Sequence, residues 1–373
     1  MLPWLLGLIF GVVILGNLTS RITSEDKAEE FALGKETSTY WATDGEIPIH
    51  CSTPNDGSPC IDAYLGSSLQ DEIVLWLGNS QLHAINQIQS QDINAVEILH
   101  QSLKNSHQYV MAFSYPNASL QQNYVTFEYL IDKLPVTTLV LPIVFDDLRE
   151  TGVGSGFSAA FEAPEVTQRL ERTLIGKSLV ANFGVLDPAS NDMLALQETV
   201  QEQSEKYLDT NLKVKWDVWV KRPELRAQIF GALYGMRNKV FGINASTVRK
   251  IIPGRYLLNF EALIAILESS KINNIDVVLY IVPLRNDVKR PYVETDYANF
   301  KEDVRSIALD HNVVFADLDD LVPSEEWGTK ASTNGRDDSE LDFMHFQAAG
   351  HERLARAIEA ALGIVEEVKV NGL

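Results

Sequence analysis

The sequence predicts an α/β protein: a parallel sheet covered by helices on both faces, carrying a mostly helical insertion and preceded by a membrane anchor. Three observations predict it. Short, almost wholly apolar runs alternate with helical patterns, the signature of βαβ units whose strands are buried on both faces. Residues 150–259, which open on the flexible stretch Thr151–Ser158 and then read mostly helical, separate the third of these runs from the fourth. Met1–Leu18 is apolar apart from Asn17 and Pro3 and holds no charged side chain.

Residues 1–20 come first. A spanning helix needs about 20 apolar residues, with about 17 as the lower limit. No Lys or Arg precedes the run, and Leu15-Gly16-Asn17 is a poor cleavage site, so an uncleaved anchor is favoured over a signal peptide. Residues 21–70 read as a polar linker containing the only 2 cysteines, Cys51 and Cys60. Between them lie Pro54, Asn55, Asp56, Gly57 and Pro59, turn formers that make a disulfide-closed loop sterically easy. Disulfides persist in oxidising compartments, which places the bulk of the chain in a periplasm or at a cell exterior. The alternative is a pair of free thiols in a cytosolic loop. A zinc site is not expected, since only His50 lies nearby and four ligands are normally needed.

The α/β domain is expected over residues 71–149 and 260–373. Its strands are Glu72–Leu77, Tyr109–Phe113, Thr138–Phe145, Ile275–Val282 and Val313–Leu318. Helices are expected near Leu120–Leu134, over Tyr297–Asp310 and over residues 347–362. In open sheets of this kind, sites form beyond the carboxyl ends of the strands.

Hydrophobic residues make up 45% and charged residues 22% of the 373, ordinary for a folded protein, and the formal net charge is −20. So acidic a surface repels a phosphate backbone, which argues against nucleic acid as a partner. The charge is uneven: Lys213–Arg255, with aromatics interleaved, is basic within an acidic chain. It reads either as a lid whose basic face pairs with the protein's own carboxylates, or as a face for an anionic membrane or ligand.

Chemistry enters with Ser80. It follows the first apolar strand in Leu77-Gly78-Asn79-Ser80-Gln81, where it would open a helix whose amides can stabilise an oxyanion. Serine needs a base to act as a nucleophile. His345, in Asp342-Phe343-Met344-His345, lies after the last strand and before the last helix. In a parallel sheet the ends of the first and last strands can face one cleft. Asp342, three residues earlier, can hold the imidazole tautomer. A serine after Gly-Asn is more often a helix cap, and Asp-x-x-His more often a surface pair. The order of the two along the chain favours the functional reading. His83 lies one helical turn beyond Ser80 and could approach the site, whereas His351 reads as structural. Arg285, at the end of the fourth strand, is placed either to hold an anionic substrate group or as a solvated loop charge.

This arrangement resembles the SGNH (GDSL-like) hydrolase and acyltransferase superfamily. Its Gly-Asp-Ser block is similar to Gly78-Asn79-Ser80, with Asn for Asp, and its Asp-x-x-His block to Asp342–His345, extended by Phe346-Gln347-Ala348-Ala349-Gly350-His351. The resemblance covers about residues 70–149 and 260–365 and leaves the insertion unexplained. It implies a three-layer, flavodoxin-like parallel sheet, with Ser80 as nucleophile, His345 as base and Asp342 as its orienter. The family's oxyanion Gly and Asn, after the second and third strands, have no counterparts here. Asn117 with the Ser80 amide is the best donor pair, and the third strand is followed by Asp146-Asp147-Leu148-Arg149. An ionised Asp accepts hydrogen bonds and cannot donate one.

An anchored, extracytoplasmic member resembles the subgroup acting on cell-envelope polymers, such as the D-alanylation factor and the alginate O-acetylation proteins. That resemblance implies O-acyl transfer, with acetyl as the acyl group, to or from an envelope polysaccharide through acyl-Ser80. It also implies a bacterial, membrane-anchored protein, with a multi-pass membrane acyltransferase and an acylated glycan as partners. No cofactor and no metal are implied. A secreted small-ester esterase or lipase, and a non-catalytic scaffold of an export complex, are the competing readings.

Overall fold

The computed structural model describes residues 36–67, 71–183, 247–331 and 339–371. The run Met1–Leu18 and most of the basic stretch Lys213–Arg255 lie outside the described residues. Among the described residues no helix is long and apolar enough to cross a membrane.

By contacts the chain divides into two units. One comprises residues 39–197, 248–328 and 343–373; the other comprises residues 1–38, 198–247 and 329–342. The first carries a six-stranded sheet. Its strands are β1 (His50–Cys51), β2 (Glu72–Gly78), β3 (Gln108–Ser114), β4 (Val136–Ile143), β5 (Asp276–Ile281) and β6 (Val314–Asp317), in the order β6-β5-β4-β2-β3-β1. Every pairing is parallel. The five longer strands fall where the apolar runs predict them. β1 is the exception: two residues in a stretch rich in turn formers carry no strand pattern of their own, and pairing with Ala112 and Phe113 of β3 makes the strand.

Strand composition explains the layering. Ile73 through Leu77 on β2 are all 0% exposed, so this strand is covered on both faces. At about 1.5–3 kcal/mol for each fully buried large aliphatic side chain, such a strand anchors the sheet. Trp76 is held by its ring N–H, which donates to the Tyr280 hydroxyl on β5 at 3.1 Å. The covering helices include α1 (Ser58–Gly66), the single turn α2 (Ser80–His83), α3 (Ala95–Leu103) and α4 (Leu120–Leu130). In the insertion lie α5 (Ser158–Phe161), α6 (Pro164–Leu170) and α7 (Leu174–Asn182), followed by α8 (Pro253–Ile272), α9 (Glu294–Asp310) and α10 (Ala348–Asn371). α4 starts with a capping box, Ser119 with Gln122, which stabilises such a terminus by about 1 kcal/mol.

The stretch read as a linker is folded from residue 36 to 67, and Cys51 and Cys60 are joined in a disulfide that ties β1 to α1. The Asp-x-x-His segment also differs from expectation. It lies within strand β8 (Ser339–Phe346), which forms a two-stranded sheet with β7 (Trp327–Ala331).

The chain order fixes where a site can form. From β2 the chain moves to β3 on one side, then crosses to β4 on the other. β2 is therefore the switch point of the sheet, and the crevice beyond its carboxyl end is the natural site.

Candidate active site

Ser80 is the second residue after β2. A Cβ on Gly78 would lie 2.8 Å from Leu82 Cδ2, so glycine lets the chain turn tightly into α2. The Asn79 side chain caps that turn, its Oδ1 accepting from the Gln81 N–H at 3.0 Å. α2 is a single turn of 4 residues, so it adds far less dipole than a helix of several turns.

Ser80 Oγ lies 3.1 Å from His345 Nε2. Both residues are nearly buried, at 9% and 8% exposure. The distance is that of a nucleophile and its general base. Gln81 ties the pair together: its Nε2 donates to the Pro283 carbonyl at 2.9 Å and to the Met344 carbonyl at 2.8 Å. The residue beside the nucleophile thus holds both the end of β5 and the backbone next to His345. Gly328 packs closely against Asn86, since any Cβ there would collide with Asn86 Oδ1 at 2.1 Å.

Asp342 is fully buried, on the same strand as His345 and in the other contact unit. Asn117 is exposed in a left-handed turn after β3 (φ 55°), and no described hydrogen bond links it to Ser80 or His345. Arg285 is 7% exposed. Its guanidinium pairs with Asp287 at 2.6 Å and donates to the Gly328 carbonyl at 3.0 Å, so it braces the frame around the site.

The two aspartates after β4 separate in role. Asp146 pairs with Arg249 and accepts from the Tyr292 hydroxyl at 2.9 Å. Asp147 is buried, has no cationic partner among the described residues, and accepts from Asn79 Nδ2 at 2.8 Å. Burial raises its pKa well above the usual carboxylate range, and the charges of Asp146 and Glu150 add to the rise. A carboxyl whose neutral form is favoured by burial therefore supports the residue that precedes the nucleophile.

Three further histidines pack beside this edge: His83, which its spacing from Ser80 brought to notice, His351, which read as structural, and His50, which nothing in the sequence tied to Ser80. His50 Nε2 lies 2.7 Å from Ser114 Oγ, and His83 Nδ1 lies 2.6 Å from the same oxygen. His351 on α10 accepts from the Ala95 N–H at 3.3 Å and faces the Ala84 carbonyl through Nε2 at 3.2 Å, which satisfies both ring nitrogens in the neutral form. Burial lowers the pKa of all three, to about 3 for His83 and His351. Among the described residues no cluster of three or more His, Cys, Asp or Glu side chains is arranged to hold a metal ion.

No family model matches the chain, and no curated protein matches it. Among solved structures it is similar to a Bacteroides fragilis NCTC 9343 protein assigned to the acylhydrolases, at 11% identity over 81% of this chain and 94% of that one, with a TM-score of 0.37. It is also similar to a GDSL-like lipase from Bacteroides thetaiotaomicron VPI-5482, at 10% identity over 84% and 99% of the two chains, with a TM-score of 0.36. Likenesses this low carry no argument about chemistry, which rests on the geometry of Ser80 and its neighbours.

Proposed function

We propose that the protein is a serine-dependent acyl-transfer enzyme of the SGNH type, working through an acyl-Ser80 intermediate. The observation that carries this reading is the 3.1 Å contact between Ser80 Oγ and His345 Nε2 at the switch point of a parallel sheet. In the first half-reaction Ser80 Oγ attacks the acyl carbon of an ester while His345 Nε2 takes the hydroxyl proton. The tetrahedral intermediate collapses, the ester C–O bond breaks, and His345 returns the proton to the departing alcohol. In the second half, water or an acceptor hydroxyl attacks the acyl-serine, and its proton passes through His345 back to Ser80. Asp342 is proposed as the group that steadies the imidazolium.

The finer assignment is O-acetyl transfer to or from an extracytoplasmic polysaccharide, by a protein held at a bacterial membrane through Met1–Leu18. The Cys51–Cys60 bond supports an oxidising compartment. The resemblance to the envelope-polymer subgroup supports the substrate class and a membrane acyltransferase as partner.

The test is turnover of p-nitrophenyl acetate by wild type and Ser80→Ala, with and without an acetylatable polysaccharide. The reading expects Ser80→Ala to lose at least about 10³-fold in kcat/KM. It further expects acetyl groups on the polymer in the wild-type reaction. Free acetate alone would assign hydrolysis, and equal rates in both proteins would reject the serine mechanism.

A further inference from the structure

The hydrogen-bond chain around Ser114 has a direction, and it ends on a donor for which no described residue is an acceptor. Asn94 sets the direction. Its Oδ1 accepts from the Glu97 N–H at 3.2 Å, so its amide nitrogen faces the other way. That nitrogen donates to the Tyr40 carbonyl at 3.0 Å and to His50 Nδ1 at 3.3 Å. His50 Nδ1 is therefore an acceptor, and the His50 proton sits on Nε2. From there it donates to Ser114 Oγ at 2.7 Å. Among the described residues His83 Nδ1, at 2.6 Å, is the one remaining acceptor for the Ser114 hydroxyl proton, so Ser114 donates it there. His83 in turn carries its proton on Nε2.

His83 is 2% exposed, and its ring stacks on Trp41 with centroids 4.8 Å apart and planes inclined by 18°. No described residue accepts from its Nε2–H. The ring is buried, yet its Nε2 keeps some accessible surface, so this N–H beside the nucleophile is open to a ligand's acceptor. Its location fits, because His83 ends the same single turn that Ser80 begins. Ser114 lies opposite Gly78 in the β2–β3 register, at the same carboxyl edge. Burial lowers the His83 pKa to about 3, so above that pH the neutral ring keeps the same donor.

We infer that His83 Nε2–H donates to the acyl oxygen of the substrate attacked by Ser80, with Asn94, His50 and Ser114 as positioning residues that hold its tautomer. This deepens the serine reading above and rests on it. It also supplies a side-chain donor where Asn117, exposed on its turn, is not joined to the pair. An oxygen that becomes an oxyanion gains most from such a donor in the transition state, so the effect falls on kcat.

Turnover of p-nitrophenyl acetate by wild type, Ser80→Ala, His83→Ala and His83→Gln tests it. His83→Ala should lose about 10²-fold or more in kcat with KM little changed. His83→Gln, which can place an amide N–H near the lost Nε2–H, should recover at least a tenth of the wild-type rate. Ser114→Ala should lower kcat, and Ser114→Thr, which keeps the hydroxyl, should restore it. An inactive Ser80→Ala beside a His83→Ala of wild-type kcat overturns the role of His83 alone. A fully active Ser80→Ala overturns the serine reading beneath it. If His83→Ala does not fold, ¹⁵N NMR of the wild-type protein decides. The inference requires the Nε2–H tautomer at His83 and a shift of that signal when a fluorophosphonate occupies Ser80. An Nδ1–H tautomer, or a signal indifferent to the adduct, overturns it.

Discussion

The two halves of the sheet's carboxyl edge are built from different chemistry. Beyond β2 and β3 the groups are neutral and directional: Ser80 with His345, and Asn94, His50, Ser114 and His83 in sequence. Beyond β5 and β6 they are ionic. Lys301 bridges Asp317 and Asp319 at 2.8 and 2.9 Å, and Arg290 bridges Asp319 and Asp320 at 2.9 and 2.8 Å. The Tyr297 hydroxyl also donates to Asp319 at 3.1 Å. An ion pair tolerates changes of angle and has no preferred proton. A chain of neutral hydrogen bonds fixes the proton on each atom, which is what proton-transfer chemistry needs. The difference separates an edge suited to the proposed chemistry from an edge suited to bracing.

Four experiments sharpen that contrast, taken from the largest expected effect to the smallest. On the neutral edge, His345→Ala should lower kcat/KM for ester turnover by about 10³-fold or more while the protein still melts cooperatively. A loss under tenfold would remove His345 from the role of base.

The second experiment concerns acid. His83 and His351 have pKa values lowered to about 3, below the ordinary 6.5, so the folded state prefers them neutral. Their contribution is full above pH 6.5 and is lost as pH falls toward 3, at about 2 kcal/mol for each histidine between pH 7 and pH 5. Urea midpoints measured across that range should fall steeply, and a flat profile would contradict the buried neutral network.

On the ionic edge, Lys301→Ala leaves the 3% exposed Asp319 with Arg290 and Tyr297 as remaining partners. It should cost about 1–2 kcal/mol in chemical denaturation, less than the full loss of a buried pair. Turnover should stay within about twofold of wild type, as befits a brace. A tenfold drop in kcat would show that the two edges are not separable.

The smallest effect is expected at Asp147. Its pKa is raised, so its contribution to stability is present at acid pH and is lost as pH rises through the folded value. Asp147→Asn keeps an oxygen for Asn79 and removes the titration. It should raise stability at pH 8 by about 1 kcal/mol and flatten the alkaline side of the stability profile. Unchanged alkaline stability would mean that Asp147 is already ionised in the fold.

The sequence revealed the sheet because its strands carry their own signal. Glu72–Leu77 is an unbroken apolar run, and burial on both faces demands one. Ser80 was legible from its place just past the end of β2, and His345 from its place before the last helix, although His345 lies within β8 and not at the end of a strand of the parallel sheet. β1 was not, since His50 and Cys51 become a strand only by pairing with β3. The relay was not legible for the same reason: Asn94, His50, Ser114 and His83 come from four segments, and no spacing along the chain marks residues that meet only through tertiary structure. Gln81, which ties Pro283 and Met344 to the nucleophile turn, looks in the sequence like any polar residue after a serine. Its only trace was its place beside Ser80. For Asn117, residue type pointed to an oxyanion donor, whereas backbone conformation set it on an exposed turn.

The most direct test of the central claim is covalent. Purified wild type and Ser80→Ala would be treated with a fluorophosphonate and the modified peptide read by mass spectrometry. An activated serine predicts one phosphonyl group on Ser80 in the wild type and none in the variant, with labelling suppressed in His345→Ala. Folded wild-type protein that stays unlabelled, or that carries the label elsewhere, would contradict the account.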